Sequence, residues 1–145
     1  MVVEALQSKN VFLDTAPLIY FIEAHTTYQP VLKRIFSLNE KGGISLFAST
    51  ITLLEVLVKP LREGKTQLAA QYRAILLQAS HLELVETSVA VAEKAASLRA
   101  AYNLRTPDAI QLATAIEAGA DFFLTNDKQL KAVKEIPVLT LPELQ

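Results

Sequence analysis

Four acidic residues stand where an apolar strand pattern gives way to a helix pattern, or where a helix makes its first turn. They are Asp14, Glu55, Asp108 and Asp127. If their segments belong to one parallel sheet flanked by helices, the four carboxylates converge at the edge where the strands end. A group of carboxylates without Cys or clustered His suits hard divalent cations such as Mg²⁺ or Mn²⁺, which take oxygen ligands. The pattern therefore indicates chemistry on phosphate esters.

The elements that must position these acids alternate along the chain. Short apolar runs predict strands at 11–13, 44–48, 82–85, 121–125 and 137–141. Helical spacing and helix-start signals predict helices at 17–23, 30–41, 52–58 with an end at Pro60, 65–79, 88–102 and 106–119. This alternation predicts an α/β sandwich of three layers, in which a mostly parallel sheet of about five strands has helices on both faces.

Length and composition limit the architecture and the partners. A chain of 145 residues fits a single domain with one sizeable core. Hydrophobic residues make up 51% of it, a high fraction that favours an oligomer or a covered partner surface. The net charge of −1 gives no broad positive field for loose nucleic-acid binding. Without the four acids, however, 11 of the 15 acidic residues remain against 14 basic ones, so a metal-loaded site would have mildly positive surroundings.

The absence of Cys excludes disulfides, a thiolate nucleophile and a zinc–sulfur site, and it favours a reducing cytoplasm. The first ten residues include Glu4 and Lys9 and lack a continuous apolar segment. The longest uncharged run, 42–54, is too short to span a bilayer. A cytoplasmic protein with no membrane association is therefore expected.

Each acid also has a structural explanation, and for a single residue that explanation is the more common one. Thr52 and Glu55 have the spacing of a capping box, in which Glu55 bonds the backbone at the helix start. Thr106 can cap a helix whose first turn contains Asp108. The other two acids fit cap or Asx-turn positions. Together, however, four carboxylates with no nearby cation would repel one another and raise their own pKa values, so a divalent ion is inferred to neutralise them.

The segments around the four acids resemble the successive motifs of the PIN-domain ribonucleases. These segments are VFLDT at 11–15 with LIY at 18–20, LEV at 54–56, TPDAIQLATA at 106–115 and GADFFLTND at 119–127. The resemblance extends from Val11 to Leu141, and at this size it is greatest to the stand-alone VapC-type toxins of prokaryotic toxin–antitoxin pairs. The first motif starts later than in many such toxins, and the sequence assigns no role to the residues before it.

The resemblance implies a PIN-like sandwich and a Mg²⁺- or Mn²⁺-dependent endoribonuclease in which the four acids hold the metal. It also implies an RNA substrate, a cognate antitoxin and a homodimer. Around the carboxylates, Thr15, Thr125 and Asn126 are expected to orient them or contact phosphate oxygens, and their hydroxyls could equally cap helices. Arg105 is expected to contact phosphate.

Other features favour structural roles. His25 and His81 are isolated in unrelated segments, so neither a zinc site nor a catalytic triad is indicated. A basic stripe beside Asp127, formed by Lys128, Lys131 and Lys134, is more often a solvated helix face than an RNA contact.

Two other classes of function stay open. The first is a non-catalytic PIN-like module that binds RNA or protein. The second is a phosphatase or a receiver-like domain, which also has acids at strand ends. The second ranks last, because phosphatases of the haloacid-dehalogenase type need another Asp at the position of Ala16, and receivers need an earlier acidic pair.

Overall fold

Five parallel strands form one sheet at the centre of the molecule. The structure, a computed structural model, describes residues 1–144. The strands are β1 (Asn10–Leu13), β2 (Ser45–Ser49), β3 (Leu82–Val85), β4 (Phe122–Thr125) and β5 (Val138–Thr140). Their order across the sheet is β3-β2-β1-β4-β5, and every neighbouring pair is parallel. The predicted strand count is confirmed, and the sheet is fully rather than mostly parallel.

Six α-helices connect the strands. They are α1 (Thr15–Ile22), α2 (Gln29–Glu40), α3 (Thr50–Arg62), α4 (Thr66–Gln78), α5 (Val89–Ala101) and α6 (Thr106–Glu117). Three short 3₁₀ segments occupy Val3–Leu6, Lys128–Ala132 and Leu141–Glu143. Among residues 1–144, no helix is both long enough and apolar enough to cross a membrane.

The two faces of the sheet carry separate hydrophobic cores. Because side chains alternate along a strand, Val11 and Leu13 of β1 point into one core, which is packed by helices α1 to α4. Phe12 points to the opposite face, where it stacks on Phe123 of β4 at a centroid distance of 5.3 Å beneath α5 and α6. Helices on both faces confirm the predicted three-layer α/β sandwich.

The chain reverses its direction of travel across the sheet at β1. After β1 the chain proceeds to β2 and β3 on one side, and it then crosses through α5 and α6 to β4 on the other side. In open parallel sheets, such a reversal leaves a crevice beyond the carboxyl ends of the two central strands. Asp14 follows β1 directly, and its backbone N–H donates to the carbonyl of Leu124 at 2.9 Å. The crevice therefore lies between β1 and β4.

One predicted helix start and one predicted helix cap are wrong. Helix α3 begins at Thr50, and Ser49 caps it by accepting hydrogen bonds from the backbone N–H groups of Ile51 (3.1 Å) and Thr52 (3.3 Å). Glu55 is thus one turn too far along to complete a capping box. Helix α6 has no side-chain cap, because Thr106 lies inside the helix and its hydroxyl accepts from Arg99 instead (2.9 Å).

One predicted helix end is also wrong. Pro60 lies inside α3, which continues to Arg62 with a bond from the N–H of Glu63 to the carbonyl of Lys59 (3.0 Å). Proline lacks an N–H, and its ring crowds the carbonyl four residues back, so it weakens a helix. Helix α3 nevertheless continues for two residues beyond Pro60, which is buried.

The residues before the first motif belong to the core. Val3 and Leu6 of the first 3₁₀ segment are fully buried in the core beside α2. The amino group of Met1 donates to the carbonyl of Glu143 at 2.8 Å, which ties the start of the chain to the last 3₁₀ segment. These residues therefore stabilise the face of the sheet that carries α1 to α4.

Candidate active site

The four acids singled out in the sequence line one cavity of about 350 Å³ at the carboxyl ends of β1 and β4. They arrive from four different elements: the β1–α1 junction, the second turn of α3, the first turn of α6 and the residue after β4. The cavity wall also includes Thr15, Ala16, Ile19, Tyr20, Arg105, Pro107, Gln111, Thr125 and Asn126. The topology thus brings together every acid that the sequence placed at a helix start.

Asp14 is a partly buried carboxylate at the start of α1. Its Oδ1 accepts from the N–H of Thr15 (2.9 Å), so it caps α1, and its Oδ2 accepts from the hydroxyl of Thr125 (2.8 Å). Burial raises the pKa of Asp14 above its ordinary value; the two hydrogen bonds oppose this, while repulsion from Asp108 and Glu55 adds to it. An ionised Asp14 therefore lacks sufficient positive charge around it.

Glu55 is held by a side chain from another helix. The hydroxyl of Thr15 donates to Oε1 of Glu55 at 2.7 Å, across the junction between α1 and α3. Since Glu55 has no capping role, its orientation toward the cavity has no competing explanation from the start of α3. Thr15 therefore contacts two of the four acids, one through its backbone and one through its hydroxyl.

Asp127 caps the 3₁₀ segment that follows β4. Its Oδ1 accepts from the N–H of Gln129 (3.0 Å), while its own N–H donates to the hydroxyl oxygen of Thr125 (3.0 Å). Thr125 is fully buried and links the backbone of Asp127 to the carboxylate of Asp14. The cap positions predicted for Asp14 and Asp127 are confirmed, and both carboxylates still face the cavity.

Asp108 already has a cation beside it. The guanidinium of Arg105 donates to Oδ2 of Asp108 at 3.0 Å and to Oδ1 at 3.4 Å. The bond to Asp108 is the main cause of a raised pKa for Arg105, and the charges of Asp127 and Glu55 contribute. The inference that the four acids have no nearby cation is therefore wrong for Asp108. The Arg105 side chain is nevertheless 79% exposed, so water screens this pair strongly.

A buried polar network beneath the carboxylates was not foreseen from the sequence. Gln111 of α6, only 1% exposed, accepts from the hydroxyl of Ser49 and donates to the hydroxyl of Thr52 at 2.7 Å. Its amide also approaches Thr15 Oγ1 (3.2 Å) and Asp14 Oδ1 (3.5 Å). A signal did exist in the sequence, because Gln111 lies three residues after Asp108 and so shares its helix face. The network connects both the Asp14 and the Glu55 sides of the cavity.

The remaining candidate residues are used mainly in contacts with other protein groups. Asn126 lines the cavity, but its amide donates to the hydroxyl of Tyr20 (3.1 Å) rather than to a carboxylate. In the basic stripe, Lys131 donates to Glu143 (2.5 Å) and to the carbonyl of Val138 (2.9 Å), and Lys134 donates to the carbonyl of Lys131 (3.1 Å). Two of the three lysines are thus used in internal contacts.

The donors in the cavity suit a hard cation by their chemistry, since all four acids offer oxygen. Across residues 1–144, however, no three His, Asp or Glu side chains are grouped closely enough to hold a metal ion. Asp108 is paired with Arg105 instead. A bound ion would draw the carboxylates together and compete with Arg105 for Asp108.

Comparison with known proteins identifies the fold. Residues 11–136 match the PIN domain family model. A chain of the VapBC2 complex from Rickettsia felis, bound to a fragment of promoter DNA, aligns with a TM-score of 0.73 and 19% identity over 90% of this chain and 98% of its own. A toxin–antitoxin complex from Klebsiella pneumoniae aligns with a TM-score of 0.66 and 25% identity over 90% and 97%.

A third similar structure is VapC20 from Mycobacterium tuberculosis, described as a toxin that cleaves the sarcin–ricin loop. It aligns with a TM-score of 0.67 and 18% identity over 84% of this chain and 93% of its own. No curated protein sequence matches the chain at a significant level. The family match spans all four acids, and it excludes the phosphatase and receiver alternatives. On the sheet order, the cavity and this match, the chain belongs to the PIN-domain family.

Proposed function

We propose that this chain is a Mg²⁺- or Mn²⁺-dependent endoribonuclease and the toxin of a toxin–antitoxin pair. The observation that carries the proposal is the meeting of four carboxylates, from four separate elements, in one cavity of a PIN fold. The similarity to chains of toxin–antitoxin complexes, and to a toxin that cleaves an RNA loop, supports the biological role.

In this proposal Asp14, Glu55, Asp108 and Asp127 hold the metal. When bound, a divalent ion polarises a phosphate and lowers the pKa of a coordinated water. Thr15 fixes the carboxylate of Glu55, and Thr125 fixes that of Asp14, so that both present oxygen atoms to the cavity. None of the lining residues within 1–144 is His or Lys, so a side chain that acts as general base there would have to be one of the carboxylates or Tyr20.

The test is cleavage of labelled RNA by the purified full-length chain. We expect cleavage with Mg²⁺ or Mn²⁺, products with a 5′-phosphate and a 3′-hydroxyl, and loss of activity in EDTA that either metal restores. Cleavage that persists in EDTA, or products with 2′,3′-cyclic phosphate ends, would count against metal-assisted hydrolysis.

One observation favours a second candidate, a non-catalytic module that binds RNA or protein. The pair between Arg105 and Asp108 gives the acidic cavity a counter-ion without any metal. Under this alternative, the protein binds RNA equally well before and after chelation and cleaves none of it. The two candidates thus give opposite results in the same assay.

An apolar surface on α3 and α4 supports the proposed protein partner. Leu54, Val58 and Leu61 follow a helical spacing on α3 and are 61%, 42% and 64% exposed. Leu61 and Leu77 also line a groove of about 330 Å³ between the two helices. We propose that an apolar segment of the antitoxin covers this surface. At one end of the surface, Leu54 directly precedes Glu55 in the sequence. The homodimer stays a prediction, to be measured by sedimentation of the chain alone.

Arg105 provides a way to measure the competition between metal and internal counter-ion. Arg105→Gln removes a positive charge from the cavity, so we expect Mn²⁺ to bind roughly three- to tenfold more tightly, a modest gain because the side chain is exposed. RNA cleavage at saturating metal should fall about tenfold if the same guanidinium contacts a phosphate. Electron paramagnetic resonance of free Mn²⁺ gives the affinity without any assay of activity.

The matched control is Arg34→Gln. Arg34 also pairs with an acid, Glu4 at 2.7 Å, but it lies outside the cavity. It should change neither the metal affinity nor the cleavage rate. Equal Mn²⁺ affinity in Arg105→Gln and wild type would show that Arg105 does not compete with the ion.

A further inference from the structure

Three aromatic rings form a stack beside the carboxylate cavity, and one of them, Tyr20, lines that cavity. The ring of Tyr20 lies 4.3 Å from that of His25 and 5.8 Å from that of Tyr28, and His25 and Tyr28 are 5.0 Å apart. Each of the three side chains is partly exposed. They come from the end of α1 and the turn before α2, so one short stretch of chain builds the whole stack.

The stack is continuous with the acidic cavity. Tyr20 lines that cavity together with Asp14 and Asp127. Its hydroxyl accepts from the amide of Asn126 (3.1 Å), the residue directly before Asp127. The position of one ring is therefore coupled to the segment that carries a carboxylate, and a ligand at the acids would meet this ring next.

The turn fixes the proton of His25. Its Nδ1 accepts from the backbone N–H groups of Thr27 and Tyr28, both at 3.2 Å. A nitrogen that accepts has no proton, so the neutral imidazole carries its proton on Nε2. His25 thus keeps one N–H donor, on Nε2, and the backbone of the turn orients its partly exposed ring.

This combination matches the chemistry of an unpaired nucleobase. Bases that are not stacked in a helix bind to Tyr and His rings through their faces and to nearby donors through their edges. A base in a duplex has both faces covered and cannot use such a stack. Tyr20 also lines the same cavity as the carboxylates, so a nucleotide with its phosphate at them would have its own or the adjoining base near this ring.

We propose that the stack of Tyr20, His25 and Tyr28 binds an unpaired base beside the scissile phosphate and so selects single-stranded RNA. The inference rests on the proposed ribonuclease function and assigns residues to its substrate selection. His25, for which the sequence favours only a structural role, becomes a specificity residue. Tyr28 acts with it, and Tyr20 connects both to the reacting end of the site.

The test compares single-stranded and duplex RNA of the same sequence in the full-length protein. His25→Ala and Tyr28→Ala should each raise KM for the single strand about tenfold and leave kcat nearly unchanged, because they remove binding and not chemistry. Tyr28→Phe keeps the ring face, so its KM should lie well below that of Tyr28→Ala, which separates a role of the ring from a role of the hydroxyl. His81→Asn is the histidine control, since His81 lies away from the cavity and has a positive φ of 60° that Asn tolerates.

A contact measurement makes the result independent of turnover. Single-stranded RNA containing 5-iodouridine, irradiated with the protein in EDTA, should crosslink to His25 or Tyr28, as located by fragmentation of the tryptic peptide 10–33, which also contains Asp14. Wild-type kinetics in both alanine variants, or crosslinks only elsewhere, would overturn the inference while metal-dependent cleavage still supported the proposed function. Alanine variants that no longer bind the antitoxin but keep wild-type RNA kinetics would also overturn it, because the stack would then be a protein contact. Absence of both RNA binding and cleavage in wild type would contradict the proposed function itself.

Discussion

Replacement of Asp14 by Asn is expected to abolish metal-dependent RNA cleavage and at the same time to stabilise the folded protein. The activity loss follows from the position of Asp14 in the cavity, where Thr125, Thr15 and Gln111 all approach its carboxylate. Loss of one such charged group from a pre-organised site lowers turnover by at least about 100-fold. The amide keeps the shape of the side chain, so this loss does not depend on unfolding.

The gain in stability follows from the raised pKa of Asp14. A group whose pKa is higher in the folded than in the unfolded state stabilises the fold at pH values below its unfolded pKa, and this contribution is lost as the pH rises through the folded value. At neutral pH, wild-type Asp14 is therefore ionised at a cost, mainly from burial. Asn removes the charge, and the hydroxyl of Thr125 can reverse to accept from the new amide. We expect a rise in Tm of roughly 2–4 °C, equivalent to about 1 kcal/mol.

Thermal unfolding in EDTA at pH 7 and pH 4 measures this effect. The difference in Tm between wild type and Asp14→Asn should shrink at the lower pH, where wild-type Asp14 gains its proton. Asp121→Asn is the control, because Asp121 is exposed at the other end of β4 and accepts from the N–H of Asn10 (2.8 Å). It should keep full activity. An Asp14→Asn protein that is inactive and also less stable would show that the carboxylate is structural.

The sequence predicts the positions of the acids well because those positions depend on local patterns. An apolar run that stops at Asp14 or Asp127 marks a strand end, and parallel strands place their ends at one edge. The rule that crossovers are right-handed and short restricts the possible strand orders but does not choose among them, so the order comes from the structure. The start of α3 is harder to predict from the sequence, since Ser49 and Thr52 are both good N-cap residues. Only the length of β2 decides between them.

Contacts between side chains that are distant in sequence could not be predicted in the same way. Gln111 lies 59 residues from Thr52 and 97 from Asp14, and no periodicity relates them. The pair of Arg105 and Asp108 is local, but whether an exposed arginine turns inward depends on the total charge of the cavity. The stack around His25 depends on a turn in which Ala24 has a positive φ of 56°. No residue type in that segment predicts this conformation.

Replacement of Gln111 by Met is expected to cause the largest loss of stability among these variants. Met has a similar volume, so the packing of α6 against the sheet is preserved while every hydrogen bond of the amide is lost. The hydroxyl of Ser49 then has no acceptor in a fully buried position, and Thr52 loses its donor. Buried groups left without partners cost about 1–3 kcal/mol each, so the free energy of unfolding should fall by about 2–4 kcal/mol. Urea denaturation measures this value, with Gln71→Met on the exposed face of α4 as the control.

A second substitution at the same position separates the effect of the lost hydrogen bonds on stability from the effect of an added charge. Gln111→Glu keeps the acceptor for Ser49 but places another carboxylate within reach of Asp14 Oδ1, which Gln111 approaches at 3.5 Å. Burial and like charge both favour protonation of such a group, so its pKa is expected to rise on folding. Its stability deficit relative to wild type should therefore be largest at neutral pH and shrink as the pH falls, whereas the deficit of Gln111→Met should stay nearly constant. Equal pH profiles for the two variants would show that Gln111 supports the fold alone, without any part in the charge balance of the four acids.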